Sequence, residues 1–444
     1  MKTPRQGIKL IPLQDRAGHR KQARSRFRLS RSSFLFKLFA VLGPGLIAAN
    51  AGNDAGGVAT YASAGATYGY NLLWALAITT VFVCVAQEMC ARMGAVTGKG
   101  LSDLIREQFG VRWTIVAMLA LLIANTGITI SEFIGIAASV QVLSHDQNTP
   151  LIYIIVPLCG LALWWLVIKG SYRRVEKIFI IISLGFLAYI PAAFAANPNW
   201  GLVARQTVAP QFNMDAGYWP MTAALVGTTL SPYMLFYIQS AVADKGIQAK
   251  DYIYEQVDVY SSTIFANIIS AFMIITTGAT LFFSHQVVNT AADAAFALQH
   301  FAGQYAPLLF GLGLFGASLL AGAVLPLTTA YGICEAFGFE SGVSRSFKEA
   351  PVFQSIFTGL IILGVVVALI PGLNFVQVLI ILQDLNAAVL PILLIFIILL
   401  INDRRLMGRR VNSVVFNILA WITIISITVL VVLLLLNGIF HVPL

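Results

Sequence analysis

One carboxylate stands inside an apolar segment, and it is the group in this sequence best placed to do chemistry. Asp54 lies in the run 43–70, GPGLIAANAGNDAGGVATYASAGATYGY, which is otherwise apolar enough to cross a bilayer. A carboxylate at membrane depth is costly unless it is paired, hydrated or bound to a cation. Because no other predicted span carries a Lys or Arg at its centre, the sequence favours a cation site over a kinked helix with a buried ion pair.

The residues around Asp54 interrupt the helix that this run would otherwise form. Those that crowd around it are Asn50, Gly52, Asn53, Gly56 and Gly57. Glycines let a membrane helix stop and restart, and the carbonyls freed there must face a cavity or a ligand. A broken helix with an acid at its break is typical of a midplane cation site.

A second interruption falls in residues 222–240, TAALVGTTLSPYMLFYIQS. Proline removes a backbone donor and clashes with the preceding turn, so the helix is predicted to unwind just before Pro232. A simple proline kink satisfied by Thr hydroxyls is the alternative. The two interruptions lie five spans apart, which inverts the topology. Such a pair points to an inverted repeat around a midplane site, with repeats at about 37–197 and 217–402.

The composition requires an all-α polytopic membrane protein. Of 444 residues, 58% are hydrophobic and 11% are charged, against roughly a quarter charged in soluble domains. Eleven apolar runs are near or above the length that crosses the hydrocarbon core. They are 38–67, 72–93, 113–141, 150–169, 176–197, 217–242, 257–283, 305–332, 354–371, 376–402 and 412–436.

The distribution of Lys and Arg predicts the orientation. With the N-terminus in the cytoplasm, Arg205 alone of the 28 basic residues falls in an outside segment, as the positive-inside rule demands. A multi-pass protein of the cell membrane with an outside C-terminus follows. Residues 1–36 are predicted to be a disordered basic cytosolic tail, 37–402 the transporter core and 403–444 a peripheral eleventh span. The net charge of +9 indicates anionic lipid headgroups as neighbours rather than nucleic acid.

Other polar residues within spans allow two interpretations. Gln383, Asp384 and Asn386 could line a pathway or could join helices by hydrogen bonds. Glu132 in span three could touch the ion path, whereas Asn267 in span seven is predicted to be a packing contact. The acids near cytosolic span ends are predicted to reach water; these are Glu88 and Glu335.

With those residues identified, the sequence resembles the NRAMP family of divalent-metal transporters. The cues are GPG at 43–45, AGATYGY at 64–70, QEMCARMGAVTGKGLSDLIRE at 87–107, SEFIG at 131–135 and ICEAF at 333–337. They run in order through spans one to eight. The resemblance implies a leucine-transporter-like inverted repeat with broken helices 1 and 6.

The resemblance also implies a set of metal-site residues. The family's Asp-Pro-Gly-Asn signature falls at residues 54–57, so that Asp54 is kept and Gly57 replaces the asparagine ligand. Its Met-Pro-His signature falls at 231–233, so that Ser231 replaces the thioether ligand. Thr228 takes the position whose carbonyl faces the metal, and Gln383 matches a glutamine that helps to bind it.

Groups that titrate in the family are replaced as well. Tyr233 and Ile238 stand where the family has histidines, and Thr129 stands where it has an acid of span three. Histidine is the usual proton relay near neutral pH. The resemblance therefore leaves proton coupling unsupported.

These departures predict a Mg²⁺ uptake transporter that also accepts Mn²⁺ and works by alternating access without strict proton coupling. An oxygen-only site suits hard ions, and Mg²⁺ keeps several of its waters. The alternatives are a proton-coupled Mn²⁺/Fe²⁺ transporter and, on the same fold, an organic-solute transporter such as one for amino acids. Catalytic motifs and phosphate loops are lacking, so no enzyme and no cofactor is predicted. A monomer is compatible with the sequence, which does not fix the oligomeric state.

Overall fold

The computed structural model describes residues 53–168, 184–212, 215, 217–247, 252–342 and 345–440, and within these ranges all regular structure is helical. The long helices are α1 (Ala55–Tyr68), α2 (Leu73–Thr97), α3 (Leu101–Ser144), α4 (Ile152–Ile168), α7 (Tyr218–Thr229), α8 (Pro232–Asp244), α9 (Tyr252–Thr277), α12 (Ala306–Phe337), α13 (Pro351–Ala368), α14 (Phe375–Asn402) and α16 (Val414–Phe440). The short ones are α5 (Tyr189–Ala195), α6 (Trp200–Val208), α10 (Ala291–Phe296), α11 (Gln299–Ala302) and α15 (Arg404–Met407).

The predicted spans coincide with these helices. Eight helices of the described part, with α7 and α8 counted together, are long and apolar enough to cross a membrane, and two shorter apolar ones supply spans four and five. α1 is the second half of predicted span one. The first half of that span, the basic tail and the start of span five lie outside the described residues.

Span six is broken where the sequence predicts. α7 ends at Thr229, Leu230 and Ser231 have extended backbone, and α8 starts at Pro232. The proline occupies the first position of the new helix, where its missing N–H is not needed. The break is therefore a true interruption and not a simple kink.

α3 extends beyond the apolar run of span three. The residues 100–110, GLSDLIREQFG, predict a short amphipathic helix on the cytosolic surface. In the structure α3 consists of two helical segments that meet at Gly110, whose backbone is non-helical with φ 73° and ψ −179°. That φ lies in the left-handed region, which glycine adopts without strain. The amphipathic segment 101–109 is thus a helix distinct from the span, as the sequence predicts.

The interior is built around α3, which packs most extensively against α12 and also contacts α13 and α14. Small residues allow close approach, as is usual between membrane helices. A Cβ added at Gly135 of α3 would lie 2.3 Å from Cβ of Ala55 and 2.4 Å from Oγ of Ser318. α1 is thereby held directly against α3.

Polar side chains join helices away from the breaks. Asn267 of α9 donates to Thr80 of α2 at 3.0 Å, which confirms the predicted packing contact. The prediction that Glu88 reaches water is wrong: it is 3% exposed, pairs with Arg92 at 3.1 Å and accepts a hydrogen bond from Tyr252. A buried carboxylate is tolerated when charge and hydrogen bonds compensate it.

Candidate metal site

At the first predicted break, where α1 starts at Ala55, a carboxylate has one bonded oxygen and one free oxygen. Asp54 caps α1, and its Oδ1 accepts a hydrogen bond from the Gly57 N–H at 2.7 Å. The side chain is 1% exposed, and Oδ2 is buried without a hydrogen-bond partner. A buried, uncompensated carboxylate oxygen is costly, and a cation would remove that cost. The backbone of Gly57 thus orients Asp54.

A second carboxylate faces the same turn. Glu132 of α3 is fully buried, and its Oε2 accepts from the Ala55 N–H at 3.4 Å. Its Oε1 accepts from the Ser131 hydroxyl at 3.3 Å. The sequence placed Glu132 in the correct span but could not place it beside Asp54, because the contact joins residues 77 positions apart.

Gln383 of α14 lies against the first turn of α1. A Cβ added at Gly56 would lie 1.8 Å from Nε2 of Gln383, so the glutamine occupies space that only a glycine leaves free. Gln383 is fully buried, and Nε2 has no hydrogen-bond partner. Rotation of the amide about its last torsion would present Oε1 at the same place.

The second break is bonded internally. The Ser231 hydroxyl donates to the carbonyls of Gly227 at 3.1 Å and Thr228 at 3.3 Å. Asn386 of α14 donates to Ser231 at 2.9 Å and to the Gly227 carbonyl at 2.5 Å. Asn386 therefore ties α14 to this break, which selects one of the two interpretations made from the sequence. The Thr228 hydroxyl is buried and without a partner.

Two contacts connect the breaks. The Tyr61 hydroxyl of α1 lies 2.9 Å from that of Thr229 at the end of α7. A Cβ added at Gly227 would lie 2.1 Å from the carbonyl oxygen of Gln383. α14 thus touches α1 through its glutamine side chain and α7 through its backbone. Tyr61 was not recognised in the sequence, where a tyrosine in an apolar run carries no distinguishing signal.

The polar atoms of the site that have no hydrogen-bond partner are three oxygens and one amide nitrogen. Asp54 Oδ2, Thr228 Oγ1 and Asn386 Oδ1 are buried without partners, together with the Gln383 amide nitrogen. Among the described residues, no three His, Cys, Asp or Glu side chains come together as a metal cluster would. A cation here would be held by few protein ligands and would keep part of its water, as hard divalent ions do.

A family model described as natural resistance-associated macrophage protein-like matches residues 45–437. This chain belongs to the Nramp family. It is 27% identical over 417 residues to the divalent metal cation transporter MntH of Bacillus subtilis (strain 168), with 90% of this chain and 91% of that protein covered. The MntH of Yersinia pestis (strain Pestoides F) is 25% identical over 402 residues, with 87% and 92% covered.

Solved structures confirm the fold. An Eremococcus coleocola manganese transporter superposes with a TM-score of 0.72 at 18% identity, covering 91% of this chain and 88% of that one. MhsT, in complex with L-phenylalanine, superposes with a TM-score of 0.58 at 16% identity, covering 92% and 100%. The all-helical, leucine-transporter-like fold is thus confirmed for this Nramp chain, with helix 6 broken between α7 and α8. The residues that would precede α1 in helix 1 lie outside the described part.

The Nramp relatives confirm a membrane transporter of divalent metal cations. These relatives are named for divalent metal cations and for manganese. The predicted preference for Mg²⁺ finds no support in these names, and the Mn²⁺ alternative fits them better. The assignment of Asp54, Gly57, Thr228, Ser231 and Gln383 as metal-site residues stays a prediction from the sequence.

Proposed function

We propose that this Nramp chain carries Mn²⁺ across the membrane through a site at Asp54, and that the same site admits Mg²⁺. The observation that carries the proposal is the buried, unpartnered Oδ2 of Asp54 at the start of α1. The named relatives favour Mn²⁺. Among the described residues, the unpartnered polar atoms near Asp54 include no sulfur and no imidazole, which favours Mg²⁺ as a second ion.

In this proposal each polar group has one role. Asp54 supplies the charge, and the Thr228 hydroxyl faces the ion directly or through water. Gln383 closes over the ion from α14, where it already lies against α1. Ser231 contributes by holding the shape of the second break, since its hydroxyl is bonded to two carbonyls. Alternating access follows from movement of the broken helices against the scaffold of α3 and α12.

Two observations bear on proton coupling in opposite ways. The five histidines, at positions 19, 145, 285, 300 and 441, all lie outside the predicted spans, so no span carries an imidazole relay. Glu132, however, is a fully buried acid that shares the first turn of α1 with Asp54. We propose transport without strict proton coupling. Proton-coupled Mn²⁺/Fe²⁺ transport by way of Glu132 is the second candidate.

The test is ion entry into proteoliposomes that contain trapped dyes for Mn²⁺, Mg²⁺ and pH. We expect saturable Mn²⁺ entry, weaker Mg²⁺ entry and a silent pH dye. Lumenal acidification that follows Mn²⁺ entry would favour the second candidate. Mn²⁺ entry without any Mg²⁺ entry would refute the inference drawn from the oxygen donors.

Asp54→Asn and Asp146→Asn form a matched pair for this assay. Both remove a carboxylate charge, but Asp146 lies exposed after α3, where it accepts from the backbone of Asn148. We expect Asp54→Asn to abolish entry of both ions while the protein elutes as the wild type does. Asp146→Asn should transport normally. Full transport by Asp54→Asn would contradict the proposed site.

A further inference from the structure

α9 carries a stripe of buried polar side chains along one face. Its members are Glu255, Asp258, Ser262, Thr263 and Ser270, each at most 5% exposed. Polar residues inside membrane helices are expensive, and they mark ion or substrate paths more often than packing. The proposed site at Asp54 uses none of them, so the stripe needs its own explanation.

One end of the stripe reaches the first helix break. The Ser270 hydroxyl donates to Oδ1 of Asn53 at 3.0 Å, and Nδ2 of Asn53 donates to the Ala266 carbonyl at 3.5 Å. Asn53 directly precedes Asp54. The face of α9 that carries the stripe therefore begins beside the proposed ion site.

The other end of the stripe holds two acids one turn apart. Glu255 is fully buried, and both of its carboxylate oxygens lack a hydrogen-bond partner. Asp258 is fully buried as well and accepts from Ser262 at 3.2 Å. The two carboxylates repel each other, and the positive charge of Lys245, an exposed residue just after α8, acts on both. An ion pair with Lys245 is the purely structural interpretation, but it leaves both oxygens of Glu255 without a hydrogen bond.

We propose that Glu255 and Asp258 form a second, weaker site for the transported divalent cation on the cytosolic half of the molecule. The identity of the ion rests on the function proposed above. At 1.5 Å per residue, Asp258 lies about 18 Å along α9 from Ser270, and so from the level of the first break. Two carboxylates and few other ligands suit a partly hydrated ion that binds briefly and leaves. The stripe between the sites supplies hydroxyls for its waters.

The test counts bound Mn²⁺ by electron paramagnetic resonance on the purified full-length protein. The wild type should show one tight and one weak class of bound ion, the weak class about tenfold or more weaker. Asp54→Asn should lose the tight class and keep the weak one. Adding Glu255→Gln and Asp258→Asn to that variant should remove the rest.

Each outcome separates this inference from the proposed function. If Asp54→Asn binds no Mn²⁺ at all, or if its remaining Mn²⁺ survives the two further substitutions, the second site does not exist. If the tight class survives Asp54→Asn while Glu255→Gln and Asp258→Asn remove the weak class, the second site stands and the site at Asp54 fails.

A charge-matched control guards against a general electrostatic effect. Glu340→Gln with Glu349→Gln removes the same charge from the exposed segment between α12 and α13, and it should leave both classes of bound Mn²⁺ unchanged. Equal loss of the weak class in this control would overturn the inference. The near-isosteric single variant Glu255→Gln, checked by size-exclusion chromatography, provides a second measurement if the double variant does not fold.

Discussion

The two helix breaks satisfy their polar groups in opposite ways. At the first, Asp54 uses one oxygen to cap α1 and leaves the other buried without a partner. At the second, Ser231 and Asn386 together bond the carbonyls that the interruption would otherwise free. The first break therefore carries a carboxylate oxygen without a partner. At the second break the groups are neutral, and most of them are hydrogen-bonded to one another.

This difference suggests how the two breaks divide the work of holding and releasing a transported ion. A transported ion must be held by an interaction strong enough to replace water and weak enough to release it. One carboxylate supplies the attraction, while neutral donors in a fixed frame supply the geometry. Substitutions at the first break should change binding, and substitutions at the second should change the frame.

Among the substitutions near the second break, Gly227→Ala is expected to have the largest effect. Its Cβ would lie 2.1 Å from the carbonyl oxygen of Gln383 and 2.8 Å from the Ala387 nitrogen. Backbone must move to relieve this contact, at a cost of about 1–3 kcal/mol. We expect transport to be lost and the melting temperature in detergent to fall. Gly359→Ala, where an added Cβ has nothing within 4 Å, is the control; an equal fall in both would refute the contact.

Gly56→Ala should reduce transport while leaving the fold nearly intact. The three atoms nearest to the new Cβ would all belong to the side chain of Gln383, with Nε2 at 1.8 Å. Because the Gln383 side chain is flexible, we expect it to move away from α1 while the backbone stays in place. We expect a fall in Mn²⁺ uptake of about tenfold, the size of a lost interaction of ~1.4 kcal/mol. Normal Mn²⁺ uptake would show that Gln383 is not part of the metal site.

Asn386→Ala should loosen the second break. It removes the donor to the Gly227 carbonyl and to Ser231. A lost hydrogen bond of about 1 kcal/mol corresponds to roughly fivefold in an equilibrium. We expect a moderate loss of thermal stability and of uptake, both smaller than for Gly227→Ala. A variant as stable as the wild type would show that Ser231 alone holds the break.

Ser231→Met concerns the choice of ion, and the expected change in the ratio of Mn²⁺ to Mg²⁺ uptake is small. A thioether adds a soft ligand beside the oxygen donors, which favours softer metals over Mg²⁺. We expect the ratio of Mn²⁺ to Mg²⁺ uptake to rise by about threefold, less than 1 kcal/mol. Ser231→Ala controls for loss of the hydroxyl. An unchanged ratio would show that residue 231 does not face the ion.

Local signals in the sequence predicted much of this molecule. The clustered glycines near Asp54 and the proline at position 232 mark both breaks, because each residue acts on the backbone where it stands. The apolar runs predict the spans for the same reason. Gly110 is a further local signal, because its left-handed backbone separates the amphipathic segment 101–109 from the span, as the sequence predicts.

The tertiary part of the site could not be predicted from these patterns. Glu132 meets the first break across 77 positions, and Asn386 meets the second across 159. Both contacts depend on how α3 and α14 dock, which no local pattern encodes. The sequence identified the polar side chains but could not decide between lining the pathway and joining helices, since both uses require the same residue types.

The central claim is that the charge at the first break binds the ion while the second break orients it. The most direct test is the Mn²⁺ affinity of Asp54→Asn beside that of Thr228→Val, measured by calorimetry on the purified protein. We expect Asp54→Asn to weaken binding by about 100-fold or more, and Thr228→Val by about fivefold or less. Equal losses in the two variants, or a larger loss in Thr228→Val, would contradict the account.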